Sequence, residues 1–353
     1  MPVAGLRLEC LRCFEWGEVD FGGAPTILSG MNGSGKTTLL EALYLLARGR
    51  SFRTGYPQQL TRHGCKAFGI EAVIPVSQGF RSVRLIYDQK INITIDRQTA
   101  TTREVSEILP LTLLEAGITE IVLGGPEQRR KLLDWLMFHV EQEGWSHWKQ
   151  YRRALRQWQW ALRTGMDGTI WIERMMERIP QIEVARKRLI EACMPFWQRA
   201  FEALFPGIDW SLDYRTGIPS GMTLEEAFQN WNPERAERPY APGPHRADIE
   251  IGIDGVPARQ ILSRGQAKLL ATGLMWGGAH LLARHLGAAP LLLIDDFSSE
   301  LDGLAQIRLL NLLAHEPVQV VVTTVQPPRK EDTPNAYRLF HVEHGCIRTR
   351  ASW

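Results

Sequence analysis

The sequence carries no large excess of charge, few cysteines and no apolar run long enough to span a bilayer. Lys and Arg number 41 and Asp and Glu 39 among 353 residues, a formal net charge of +2. That balance excludes a chain swamped by positive charge, though not a local basic face. The longest apolar stretch, 286–294, is about half of the ~20 residues a membrane helix needs. No cationic segment followed by an apolar run opens the chain, so a cytoplasmic location and no membrane partner are expected. Five scattered cysteines argue against a disulfide framework. Cys10 and Cys13 form a lone C-x-x-C that His63 and Cys65 could complete as a zinc site. The plainer reading makes 6–14 a strand whose cysteines serve as small apolar residues. Internal repeats and low-complexity tracts are also missing. What remains is 44% hydrophobic and 23% charged, the composition of a globular protein, and long enough for two domains.

The pattern changes along the chain. Residues 6–14 and 26–29 read as strands and 37–47 as a helix; 68–76, 82–88 and 91–96 alternate as an antiparallel meander. From Pro126 apolar residues recur in steps of three and four as far as Leu162, with a stutter around Gly144. A turn cluster at 164–168 and a second helical run follow, with a kink expected at Pro180. This predicts an antiparallel arm whose first helix, if straight, reaches roughly 55 Å. The stretch 230–244 reads as a loop. Beyond it, strands at 248–253, 290–295 and 318–323 alternate with helices at 266–285 and 304–314, which implies parallel α/β organisation. The two ends of the chain are expected to share one sheet, with the middle inserted.

Residues 30–37, Gly-Met-Asn-Gly-Ser-Gly-Lys-Thr, match G-x-x-x-x-G-K-[ST] between a strand and a helix. Gly33 and Gly35 let successive backbone N–H groups point at phosphate oxygens, and the helix start adds the positive end of its dipole. Gly30, Asn32, Ser34 and Thr38 complete the ATP-binding stretch. Lys36 is expected on the β- and γ-phosphates and Thr37 on Mg²⁺. Four apolar residues then end in two carboxylates: Asp295 to hold Mg²⁺, Asp296 to polarise water. Ser263, Gly265 and Gln266 open a helix and resemble the ABC signature, a second anion site built like the first; a plain N-capping serine is the bland alternative. Asp302 stands where ABC-type ATPases contact a second subunit.

Phosphate loop, signature and Asp-Asp strand together resemble an ABC-type ATPase of the SMC kind. Several further stretches resemble the RecF family of bacterial recombination-repair proteins: 49–53 (Gly-Arg-Ser-Phe-Arg), 125–130 (Gly-Pro-Glu-Gln-Arg-Arg), 133–135, 138–139, and 243–246 (Gly-Pro-His-Arg) with Asp248. They span nearly the whole chain, whose length leaves no room for long SMC coiled coils. The resemblance implies an α/β, two-lobe head with a mixed sheet around the phosphate loop. Lobe I takes 1–107 and 286–353, and lobe II takes 108–285 with the arm at about 126–200. It implies a weak ATPase acting as a switch. Its ATP-dependent homodimer binds DNA, favours gaps or single/double-strand junctions, and works with RecR and RecO to load RecA. In that dimer, Ser263 of one copy meets the nucleotide held by Lys36 of the other. Arg50 and Arg53 become candidate phosphate contacts, of nucleotide or DNA. The chain departs from common ABC patterns at Leu111-Thr-Leu113, where a glutamine is usual, and at Thr323-Thr324, where a histidine is.

Charge marks a DNA face independently. Residues 126–200 hold fourteen Lys/Arg and nine Asp/Glu. Arg152, Arg153 and Arg156, with Arg186, Lys187 and Arg188, cluster on the arm as candidate phosphate contacts; a merely solvated helical face is the bland alternative. Trp148 and Trp158 fall at core spacing rather than on a stacking surface. The rival functions are the ATPase subunit of a membrane transporter and a phosphoryl-transferring kinase. The arm speaks against the first, and the Ser-Arg-Gly-Gln element has no role in the second.

Overall fold

The computed structural model describes residues 3–22, 24–76, 79–231, 241–287, 289–329, 331 and 337–349. Most of the expected loop at 230–244, residues 232–240, lies outside them. The chain divides into two units, 1–118 with 282–353, and 119–281.

The first unit is built from two six-stranded sheets. One is an antiparallel meander in the spatial order Phe14–Asp20, Gly5–Leu11, Phe68–Val76, Gly79–Asp88, Lys90–Ile95, Gln98–Thr99. The other runs Cys346–Thr349, Arg338–Glu343, Thr26–Ser29, Gln319–Thr324, Leu291–Ile294, Leu111–Leu114. All of its pairings are parallel except that of Cys346–Thr349. Strands from both ends of the chain therefore do share a mixed sheet. Its central strands Thr26–Ser29, Leu291–Ile294 and Gln319–Thr324 are wholly buried, which is why they read as unbroken apolar or small-residue runs. The helix Lys36–Arg48 packs against strands of both sheets, and Leu39, Leu43 and Leu46 join Leu8, Ile70, Leu293 and Val321 in one core. Each such leucine contributes roughly 1.5–3 kcal/mol by leaving water. Register aligns Ser29 with Thr324 and Ile294 with Val322, so the carboxyl ends of three adjacent parallel strands form one edge. Ligands bind at such edges in open α/β sheets.

Three expectations change in this unit. Residues 6–14 are a hairpin rather than one strand: Arg12 adopts φ 50° and the chain reverses at Arg12–Cys13. Cys10 pairs with Cys65 as a disulfide, not with Cys13 around zinc. Among the described residues no group of three or more candidate ligands could hold a metal through such side chains alone. The stretch 108–118, allotted to the second lobe from the sequence, contributes the edge strand Leu111–Leu114, in register with Leu291–Ile294. Three leucines around Thr112 are too few to show a helical or strand period that could have placed it.

In the second unit the arm is segmented. Helices Pro126–Val140 and Gln142–Thr164 are separated by Glu141 at φ −118°, ψ 69°, so no single helix of roughly 55 Å forms. The break falls beside Gly144, whose missing Cβ lets the returning helix approach: a Cβ there would sit 2.4 Å from that of Ala185. The chain then turns at Gly165 and returns through Thr169–Met176 and Ile179–Leu204. Pro180 does not kink the helix. It occupies the first turn, where its missing N–H costs nothing, and Pro195 is the proline inside. A three-stranded antiparallel sheet, Val256–Pro257, Asp248–Ile253 and Trp210–Arg215, completes the unit with most of the helix Arg264–Leu286.

Candidate nucleotide site

The edge formed by the three strand ends carries the phosphate loop. Gly33 and Gly35 sit at φ 79° and 115°, conformations that side chains with a Cβ resist, and a Cβ on Gly35 would come within 2.8 Å of Cys13 Sγ. The loop delivers Lys36 to a buried position, where its ammonium donates to the carbonyls of Gly30 at 2.7 Å and Met31 at 2.9 Å. Burial pushes this ammonium's pKa down, opposed by Asp295 and then Asp296. Ser34 Oγ, on the same loop, is a buried polar atom with no hydrogen-bond partner.

Across the edge, Thr37 Oγ1 donates to Asp295 Oδ1 at 3.0 Å. Thr323 Oγ1 donates to the same oxygen at 2.7 Å and accepts the N–H of Asp296 at 2.8 Å. One threonine hydroxyl thus fixes both aspartates where the pattern of many ABC proteins has a histidine nearby. Thr324 faces away, in a hydroxyl pair with Ser298 at 2.8 Å. The cleft has a volume of about 450 Å³, and its lining includes Arg12, Lys36, Thr37, Arg53, Asp295 and Asp296. Asn32, Gly33 and Thr38 also line it. Phosphate-seeking cations and N–H groups lie at one side, and a hydroxyl–carboxylate pair suited to a hard cation at the other. The donor set fits a metal-bound polyphosphate.

Arg12 and Arg53 are both present in this cleft, and only Arg53 was expected there from the sequence. Arg12 was hidden because its reversal of direction lies inside an apparently continuous strand pattern. Arg50 is exposed.

In the second unit, Ser263 and Gln266 cap the helix Arg264–Leu286 reciprocally. The Ser263 N–H donates to Gln266 Oε1 at 2.9 Å, and the Gln266 N–H donates to Ser263 Oγ at 3.3 Å. Ser263 is exposed and Gly265 half-buried. Asp302, back in the first unit, caps Gly303–Leu313 by accepting the Ala305 N–H at 2.8 Å.

The arm cations divide. Arg152, Arg153, Arg156, Lys187 and Arg188 are exposed. Arg186 is not available to DNA, because its side chain is 0% exposed. It donates to Pro244 O at 2.7 Å, pairs with Asp134 at 3.1 Å and stacks 4.6 Å from the Trp148 ring. Helical spacing turns it inward, one turn from buried Ile182 and Leu189 or Ile190. The 243–246 stretch is accordingly a structural node. Besides Pro244, its His245 Nδ1 lies 2.6 Å from Tyr151 Oη, and Arg130 donates to Ala247 O at 2.8 Å. Arg129 and Asp248 pair through two hydrogen bonds, at 2.7 and 3.1 Å. Trp148 and Trp158 are core, as their spacing implied.

A phosphate loop at the carboxyl end of a parallel strand, with a hydroxyl-bound aspartate at the end of the next strand but one, defines a P-loop nucleotide-binding protein of the ABC-head type. Residues 3–348 match the RecF/RecN/SMC N-terminal domain family. The chain is 33% identical to the DNA replication and repair protein RecF of Acinetobacter baylyi, over 98% of this chain and 99% of the relative. It is 34% identical to that of Edwardsiella ictaluri, with the same coverage. A solved structure of the recombination mediator protein RecF of the RecFOR pathway, with ATP, superposes with a TM-score of 0.75 at 21% identity, covering 99% of this chain and 97% of the other. An Smc head bound to the C-terminal winged-helix domain of ScpA gives 0.65 at 18%, covering 99% and 97%. The chain belongs to the RecF/RecN/SMC N-terminal domain family, on its RecF branch.

Proposed function

We propose that the chain is an ATP-dependent DNA-binding protein of recombinational repair and replication, with weak ATPase activity that resets a DNA clamp. The observation that carries the reading is the convergence of Lys36, Thr37 and Asp295 in one cleft of a RecF relative. Lys36 and the loop N–H groups bind the phosphates, and freeing Lys36 from its two carbonyls supplies the charge. Thr37 and Asp295 would hold Mg²⁺, whose charge would offset that of the bound phosphates. Asp296, its backbone fixed by Thr323, orients the attacking water. Ser263 of a second copy closes each site, so ATP drives a homodimer, and hydrolysis releases it. Duplex or junction DNA meets the exposed arm cations Arg152, Arg153, Arg156, Lys187 and Arg188, with Arg50 as a further candidate. RecR and RecO act as partners in a cytoplasmic setting. No described helix is long and apolar enough to cross a membrane. Nothing favours the transporter reading: the relatives and structures named above include no transporter subunit.

The trans arrangement is tested by Ser263→Arg with light scattering. The wild type should double in mass on adding MgATP, while the variant binds ATP as a monomer. A normal ATP-dependent dimer in the variant would overturn the arrangement.

A further inference from the structure

Glu41 has no task in the site described so far, yet it is the most enclosed charge beside it. It lies on the phosphate-loop helix one turn beyond Thr37, and its side chain is 1% exposed. A carboxylate so buried persists only with partners, and its partners are specific. It accepts Arg12 through both Nε and Nη2, the latter at 2.8 Å, and also accepts the Ser51 hydroxyl. Arg53 Nη1 lies 3.6 Å away. Ser51 Oγ in turn accepts the N–H groups of Arg53 at 2.9 Å and Thr54 at 3.1 Å. The two arginines gathered in this way are the two that line the nucleotide cleft.

We infer that Glu41 is a positioning residue: it preorganises Arg12 and Arg53 as the cleft's contacts to the anionic part of the nucleotide. Both side chains are long and lose rotamer freedom when an anion is bound. A buried two-point bond on Arg12 and a charge-plus-hydroxyl hold on Arg53 remove part of that freedom beforehand. Two guanidinium groups share one carboxylate, so a surplus positive charge remains at the cleft. The helix bearing Glu41 also begins at Lys36, which ties the arginines to the same rigid element as the phosphate loop. The inference rests on the nucleotide reading of the cleft.

The test is a mutant cycle read by equilibrium binding of MgATP, with thermal melting without nucleotide as the fold control. Glu41→Gln should weaken binding about tenfold, the scale of a lost charge-assisted bond. The same change in an Arg12→Ala, Arg53→Ala background should weaken it less than about twofold further, because its targets are gone. Ser51→Ala should cost about threefold, and nothing further once Arg53 is alanine. Equal losses in both backgrounds, or none in the wild-type background, overturn the positioning role. If Glu41→Gln does not fold, the Ser51 and Arg53 cycle decides by the same criterion. A wild type that binds no MgATP sinks the nucleotide reading itself; binding with additive losses sinks only the role of Glu41.

Discussion

The hydroxyl of Thr323 joins two adjacent aspartates, donating to the Asp295 carboxylate and accepting from the backbone N–H of Asp296, which sits at φ 50°. Thr323→Val keeps the shape and removes both bonds, leaving a partly buried N–H unpaired at a cost of about 1–3 kcal/mol. ATP turnover should fall at least about tenfold while MgATP affinity stays within about twofold, because the phosphate loop is untouched. Thr323→Ser should retain both. Steady-state hydrolysis alongside equilibrium binding checks this, and wild-type turnover in the valine variant would remove Thr323 from the site. The phosphate-loop residues were legible in the sequence because glycine conformation and the lysine are specified within eight consecutive positions. Arg12, Glu41 and Thr323 were not legible as a set, since Arg12 and Glu41 meet across 29 residues and Thr323 reaches Asp295 across 28.

Helical periodicity identified the arm, its turn and the core positions Trp148 and Trp158, but not the inward-facing Arg186. Arg186 reads as one of three consecutive basic residues, and only its neighbours reveal that it is buried. The same node contains two titrating groups with opposite effects. Burial pushes the Glu183 carboxyl up to about 7, although Arg186, Tyr214 and Lys187 favour its ionised form. Burial, then Arg246, Arg130 and Arg186, push the His245 imidazole down to about 4. Burial also keeps Tyr151 protonated, and its hydroxyl shares a hydrogen bond with His245 Nδ1. A raised carboxyl favours the folded state at low pH, and that contribution is lost as pH rises from about 4.5 to 7. A lowered imidazole favours it at high pH, and that contribution is lost as pH falls from about 6.5 to 4. The two largely cancel in the wild type. Glu183→Gln should therefore expose the histidine's dependence: stability should rise by on the order of 3 kcal/mol from pH 4 to 6.5. Urea unfolding at several pH values would show it, and a flat profile in the variant would contradict it.

For the molecule as a whole, the sequence made the strand–loop–helix order visible and with it the shared sheet. Its parallel strands are short apolar runs bounded by recognisable helices. The edge strand Leu111–Leu114 and the strands Arg338–Glu343 and Cys346–Thr349 carry no comparable local signal, and pairing places them; Trp210–Arg215 does alternate apolar and polar residues, a signal the sequence reading passed over. The function proposed for the chain is a nucleotide-gated grip on DNA. The most direct measurement is fluorescence anisotropy of a labelled duplex titrated with the protein and Mg²⁺, with and without ATP. Binding should require ATP, weaken as salt rises because phosphates are being neutralised, and disappear in Ser263→Arg. Binding indifferent to ATP would contradict it and reduce the arm to a generic basic surface.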